Sequence, residues 1–248
     1  MDLVERQRTL RARHPWETAR AEAIRSLVAR LDLKQPSVLD VGCGDGFLIG
    51  TLRQQFGLRE AVAQDVHLTP ELLEELAQPG VEFVQELHQI AGRRFQLVLL
   101  LDVLEHVSDP AALLTQLWQA HLAPGGWMLL TVPAFQALFS RHDRALKHEK
   151  RYSRTELAVL ARSAGLQVHD SGYLFSSLLL PRTLSKLRER LLPTAVDPTP
   201  GVGGWNGPAW LTRTLHQLLC TDNRICLEAQ KKGLVVPGLS AWLLCNAS

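Results

Sequence analysis

The chain has 248 residues, more than a modal domain and fewer than two, so one domain, or one domain with an added lobe, is expected. With 46% hydrophobic and 21% charged residues, its composition is that of a core-forming protein and excludes a disordered one. The 27 Lys and Arg against 25 Asp and Glu leave a formal net charge of +2, too balanced to announce nucleic acid or a membrane by charge alone.

The N-terminal MDLVERQRTLRARHPWE alternates charge with apolar residues and has no secretory core, and no apolar run is long enough to span a bilayer, so the expected location is cytoplasmic. Cys43, Cys220, Cys226 and Cys245 show no paired spacing and read as reduced thiols. Leu3, Leu10, Trp16, Ile24, Leu27, Val28 and Leu31 recur at roughly helical spacing, with Pro15 dividing the segment into two helices. SVLDV (Ser37–Val41) reads as a strand, followed by glycines and a helix over Phe47–Phe56. The alternation continues through AVAQD (61–65), a helix near 70–77, VEFV (81–84), the continuous apolar LVLLL (97–101), a helix over 110–121, WMLLTV (127–132), a helix over 153–164 and LQVHDSGYL (166–174). Strands separated by helix-length segments predict a doubly wound α/β fold, a mostly parallel sheet with helices on both faces and LVLLL at its centre.

After Phe175 the regularity lapses through LLLPRTLSKLRERLLP and a Pro- and Gly-rich stretch (193–208). A helical stretch from 209 to about 230 and a last strand, LSAWLLC, follow, which places an insertion of roughly 55 residues between the final two strands. The expected division of a single domain is an N-terminal helical cover (1–34), a cofactor-binding core (35–175), a helical cap insertion (176–232) and the last strand (233–248).

The most informative residues are VLDVGCGDG (38–46), where a strand runs into Gly42, Gly44 and Gly46 and then a helix. Glycines permit a tight turn with a ligand against the main chain, and the free N–H groups of a helix start favour an anionic group. A purely structural strand-to-helix turn has the same needs. Asp65 ends the next strand, where a carboxylate can accept hydrogen bonds from both hydroxyls of a ribose, or simply sit in solvent.

VLDVGCGDG, AVAQD, FQLVLLLDVLEHVSDP and LAPGGWMLLTVP, in this order, resemble the successive motifs of class I S-adenosylmethionine-dependent methyltransferases over about residues 37–173. The resemblance implies a Rossmann-like seven-stranded sheet with an antiparallel last strand and S-adenosyl-L-methionine as cofactor. It further implies that Gly42, Cys43, Gly44 and Gly46 cradle the methionine end with Asp40 nearby, and that Asp65 holds the ribose. Val66 would flank the adenine, Glu86 and Leu87 would meet its edge, and Asp102 and Val103 would line the methyl-donor channel. Glu86 stands where the family more often has Asp. A short-chain dehydrogenase would need a Tyr-x-x-x-Lys pair, whereas Tyr152 is followed by SRTE. The fourth strand ends in LDVLEH and not in the Pro-Pro-Tyr loop of base-amino methylases, so nucleic acid is not the expected substrate.

An activated methyl needs an aligned nucleophile and, where required, a base. The loop after the fifth strand gathers His142, Asp143, His148 and Tyr152 as candidate catalytic groups. Lys147, Lys150, Arg151 and Arg154 are cations able to hold an acidic acceptor. The plainer reading is a charged surface loop; metal binding by His142, Asp143 and His148 is a weaker one, and no metal is expected. HPWETAR and SRHDRALKHEKRYS also resemble a bacterial branch of these methyltransferases with a His-Asp then His-x-x-Arg-Tyr loop, which implies that His14 and Trp16 lie over the cleft; Trp16 can equally pack its helix on the domain. Trp16, His106 and Arg151 are the expected acceptor contacts. The basic, Leu-rich FSSLLLPRTLSKLRERLL can contact an anionic membrane, close over an apolar acceptor or pack on the core. The expected activity is methyl transfer to O, N or C of a small acceptor with an apolar tail and an acidic group. The alternatives are a non-catalytic cofactor-binding subunit and a peripheral-membrane methyltransferase acting on a lipid or quinone-like molecule.

Overall fold

The computed structural model describes residues 13–191 and 205–247. The helix expected before Pro15 and most of the stretch 193–208 lie outside the described residues. Seven strands form one sheet: β1 (Ser37–Val41), β2 (Glu60–Gln64), β3 (Glu82–Val84), β4 (Phe95–Leu101), β5 (Leu122–Pro133), β6 (Leu166–Leu174) and β7 (Ser240–Ala247), in the order β3-β2-β1-β4-β5-β7-β6. β1 to β5 pair in parallel, and β7 runs antiparallel to both β5 and β6. The strand pattern predicts the mostly parallel sheet, and the family resemblance implies the seven strands with an antiparallel last one; both are found. β5 begins five residues before the expected WMLLTV because Leu122 already pairs with Phe95, ahead of an irregularity between Phe95 and Leu97.

The helices are α1 (Pro15–Val28), α2 (Phe47–Phe56), α3 (Pro70–Leu76), α4 (Pro110–His121), α5 (Arg141–Ala145), α6 (Arg154–Ser163), α7 (Leu179–Leu191) and α8 (Ala209–Lys231). Their starts follow from local chemistry. Asp109 and Thr69 accept hydrogen bonds from Ala112 N (3.0 Å) and Leu72 N (3.3 Å), with Pro110 and Pro70 in the first turns. Ser153 and Glu156 form a reciprocal capping box on α6.

Alternate residues of β1 and β4 go to opposite layers, as a strand period of two requires. Leu39, Val98 and Leu100 pack with Leu114 and Leu117 of α4 and Leu157 and Ala161 of α6. Val38, Leu97 and Leu99 pack on the other face with Ile24 and Leu27 of α1, Ile49 and Leu52 of α2, and Leu219 and Leu227 of α8. The expected cap is therefore two different things: α8 belongs to the core, whereas no residue of α7 is buried. No described helix is long and apolar enough to cross a membrane.

The two ends of the insertion are stitched together. Phe175, left-handed at φ 60°, accepts from Leu239 N (3.2 Å) and donates its own N–H to Asn223 Oδ1 (2.9 Å). Asn223 is 2% exposed. Replacing it by leucine strands a buried amide, at about 1–3 kcal/mol. Asn223→Leu is expected to lower the urea midpoint of unfolding, and an unchanged midpoint would remove this contact from the account of the insertion.

Candidate active site

β1 and β4 are neighbours, but the chain leaves them toward opposite edges of the sheet, which opens a crevice at their carboxyl ends. The first groups in it come from the glycine turn. Gly42, Gly44 and Gly46 have φ of 71°, 57° and 71°, a region that disfavours side chains. A Cβ on Gly42 would lie 2.5 Å from Val103 Cγ2, and one on Gly46 would lie 2.5 Å from the Phe83 ring. Asp65 braces the turn, its Oδ2 accepting from Gly44 N and its Oδ1 from His67 N, both at 2.9 Å. Asp40 beneath the turn is buried, and burial, offset in part by the Arg20 charge, raises its pKa to about 7. The Cys43 thiol is likewise pushed far up by burial, so it is no nucleophile. Val66 is 58% exposed directly after Asp65. Glu86 is exposed and caps the short turn Leu87–Ile90 that places Leu87 beside the end of β3.

α1 and the residue pair before it supply two groups that the sequence reading missed, Arg20 and Arg13. Arg20 pairs with Asp102 Oδ2 at 2.8 Å, while Thr131 donates to Asp102 Oδ1 at 2.9 Å. Arg13 pairs with Asp45 at 2.6 Å, its guanidinium 3.9 Å from the centre of the Phe47 ring. The available signal was position: Arg20 follows Trp16 by four residues and so shares its helical face. Trp16 itself packs against Phe175 with ring centres 5.8 Å apart, and His14 caps α1 through Trp16 N and meets the Trp205 ring edge-on. Trp16 thus anchors α1 on the domain, the packing alternative of the sequence reading, and the two arginines pair with the acids of the turn and of the β4 end. The donor set fits the cofactor. A turn with no room for side chains, a cation–carboxylate pair matched to a zwitterionic amino-acid end, a strand-tip acid and an exposed apolar residue after it are what S-adenosylmethionine needs.

The loop after β5 is built on Asp143, which is 0% exposed. Its Oδ1 accepts from Arg151 Nε (2.7 Å) and His148 Nδ1 (3.0 Å), and its Oδ2 accepts from Ser140 N (2.9 Å), Ser140 Oγ (3.1 Å) and Arg182 of α7 (2.9 Å). Burial alone would raise its pKa, but His148, Arg151 and Ser140 hold it well below the usual carboxylate range. Asp143 is thus held toward its anionic form and orients its neighbours. Arg151, expected to hold the acceptor, is 5% exposed and committed to Asp143 and to Ala134 O at 3.1 Å. Tyr152, expected as a catalytic phenol, is 5% exposed, donates to Leu104 O at 3.5 Å, and has its pKa raised by burial. His142 is half-buried, and burial and then Arg182 lower its pKa. His148 has its Nδ1 taken by Asp143, which leaves Nε2 as the acceptor of the neutral ring.

The β4 loop meets it. The His106 and His148 rings lie edge to face, 4.7 Å between centres, and Glu149 N donates to Glu105 O at 2.7 Å. Glu105, absent from the sequence reading, is 0% exposed, and neither carboxylate oxygen has a hydrogen-bond partner among the described residues. Burial, then the Asp102 charge, drives its pKa well above the ordinary value. Donor atoms of Glu105, His106 and His148 all lie within 4.8 Å of one another, close enough to share a cation. The His142, Asp143 and His148 set considered from the sequence is not the one brought together, because Asp143 is spent on arginines.

A methyltransferase-domain family model matches residues 16–171. The chain is 33% identical over 195 residues to a ubiquinone biosynthesis O-methyltransferase of Xanthomonas oryzae pv. oryzae, covering 68% of this chain and 80% of that one. Among solved structures, a coclaurine N-methyltransferase bound to N-methylheliamine and SAH superposes with a TM-score of 0.56 at 15% identity, over 91% of this chain and 70% of the other. The plantazolicin methyltransferase BamL, in complex with a triazolic desmethylPZN analog and SAH, gives 0.56 at 14% identity, over 94% and 86%. At these identities the two structures establish the fold, while the family model and the relative establish membership. The chain belongs to the methyltransferase-domain family and is an S-adenosylmethionine-dependent methyltransferase acting on a small molecule.

Proposed function

We propose that the methylated atom is a hydroxyl oxygen of a phenolic, quinone-like acceptor with an apolar tail, and that His148 is the general base. The observation that carries this reading is the Asp143–His148 pair, 3.0 Å apart and set beside Glu105 and His106 at the carboxyl end of β4. A neutral amine already presents a lone pair and needs no base before attack, whereas a phenol, at a pKa of about 10, must lose its proton. An imidazole held in one tautomer by a buried carboxylate serves that need. The names of the Xanthomonas relatives as ubiquinone biosynthesis O-methyltransferases support the same acceptor class.

The bound cofactor supplies a methyl on a sulfonium, a leaving group that needs no protonation. With that cofactor bound, Gly42 to Gly46, Asp65 and the Arg20–Asp102 pair would hold it, and His148 Nε2 would accept the proton of the acceptor hydroxyl. Asp143 stabilises the resulting imidazolium, and the buried carboxyl of Glu105 lies among the same groups. A second reading rests on the two unpartnered Glu105 oxygens: a divalent cation shared by Glu105, His106 and His148 would hold the acceptor oxygen and lower its pKa. Dialysis against EDTA separates the two, since lost activity restored by Mg2+ selects the cation and unchanged activity selects the imidazole.

His148→Gln is expected to lower kcat by roughly 10²- to 10⁴-fold with cofactor affinity unchanged. A kcat within a few-fold of wild type would place the base elsewhere. Asp65→Ala is expected to weaken cofactor binding in calorimetry by roughly tenfold or more, since two charged hydrogen bonds are lost; wild-type affinity would end the ribose assignment. Phenolic acceptors should be methylated in preference to amines of the same skeleton, and the reverse order would overturn the oxygen assignment.

A further inference from the structure

α7 sits the wrong way round for a helix of a water-soluble surface. At 100° per residue, Leu180, Leu184, Leu187 and Leu191 fall on one narrow stripe, and they are 67%, 56%, 49% and 69% exposed. The opposite edge faces the protein and is polar. Arg182 reaches Asp143 (2.9 Å) and Ser140 Oγ (2.7 Å), and Glu189 accepts from Arg141 N (3.0 Å). Arg182 and Glu189 lie roughly 180° from the leucine stripe by the same helical geometry. An amphipathic helix normally turns its apolar stripe inward; here directed ion pairs hold it with the stripe outward. The effect is concentrated: seven of the eleven exposed large apolar residues of the described chain lie on α7 and α8, Trp210, Leu218 and Ile225 being the other three.

Charge identifies the occupant. Arg188 and Arg190 project about 80° to either side of the stripe, and neither joins an ion pair among the described residues. The one acid of α7, Glu189, is turned inward, so a second copy of the helix offers these arginines no countercharge. Leucines flanked on both sides by arginines long enough to reach headgroups match an anionic bilayer surface. We propose that the outward face of α7 docks on a membrane containing anionic lipid, leucines at the acyl boundary and Arg188 and Arg190 among the phosphates. The surface is independent of which acceptor is methylated. Its anchor, Arg182, bonds the carboxylate that orients His148, so docking sets the acceptor loop against the bilayer.

The test is co-sedimentation of the full chain with vesicles of phosphatidylcholine alone and of phosphatidylcholine mixed with phosphatidylglycerol. Binding to the mixed vesicles, weakened by salt, and little binding to phosphatidylcholine is expected. Arg188→Glu with Arg190→Glu should lower partition by roughly thirtyfold or more. Leu184→Glu with Leu187→Glu should abolish it, with circular dichroism and cofactor affinity unchanged in both variants. Vesicle binding that neither variant alters would overturn the proposal, as would absence of binding. A wild-type dimer in sedimentation velocity that the leucine variant dissociates, without vesicle binding, would assign the stripe to a second copy instead.

Discussion

Everything the molecule does follows from one topological constraint. β1 and β4 lie side by side, yet the chain departs from β1 toward β2 and from β4 toward β5, so the two outgoing connections diverge from a gap at their carboxyl ends. The loops there are free to carry polar groups that the close-packed layers on either face cannot accept. Gly42 to Gly46 emerge on one side of that gap and Asp102 on the other, and Val103 approaches Gly42 so closely that no side chain fits between them. Asp65 completes the arrangement from the neighbouring strand, bonding the turn directly. The cofactor half of the site is thus main chain held by a parallel sheet buried on both faces, a rigid support for groups that must keep their positions.

The loop after β5 rests on a different kind of interaction. Asp143 is a fully buried carboxylate surrounded by two arginines, a histidine and a serine, and such an anion survives burial only because each oxygen is saturated with donors. Asp143 lies in α5 and its partners come from the N-cap of that helix, from the loop before α6 and from α7, so a single charge binds three segments together. Glu105 lacks such partners and is driven toward its neutral form. Two buried acids with opposite pKa shifts, Asp143 down and Glu105 up, thus lie close to the His106 and His148 rings.

α1 and α8 show why the flanking segments are part of the enzyme and not ornament. They pack on the face that carries α2, and α1 thereby delivers its own Arg20, and Arg13 just before it, to the acids after β4 and in the turn. α7 has no buried residue and is tied by ions through Arg182 and Glu189, presenting leucines outward. The insertion therefore combines structural packing and an outward surface in consecutive helices, a division that its composition does not disclose.

The sequence by itself determined the strands, most helix limits and the cofactor turn, because these depend on local quantities: a period of two or 3.6, capping residues, and glycines where φ must be positive. α2 and α4 fall where their periodicity and capping put them, and the order of glycine turn and strand-tip acid is readable without any contact being known. The tertiary structure decided which polar residues are free. Asp143, Arg151 and Tyr152 look as reactive in the chain as His148, yet burial and pairing occupy them, and the decisive partner Arg182 lies 39 residues beyond Asp143. Likewise Arg20 meets Asp102 only because α1 docks on the sheet, Glu105 loses its partners only in the packed loop, and the direction of the α7 stripe is set by ion pairs at its far edge. Periodicity is a property of neighbours along the chain, whereas solvation and pairing belong to groups that only the folded core brings together.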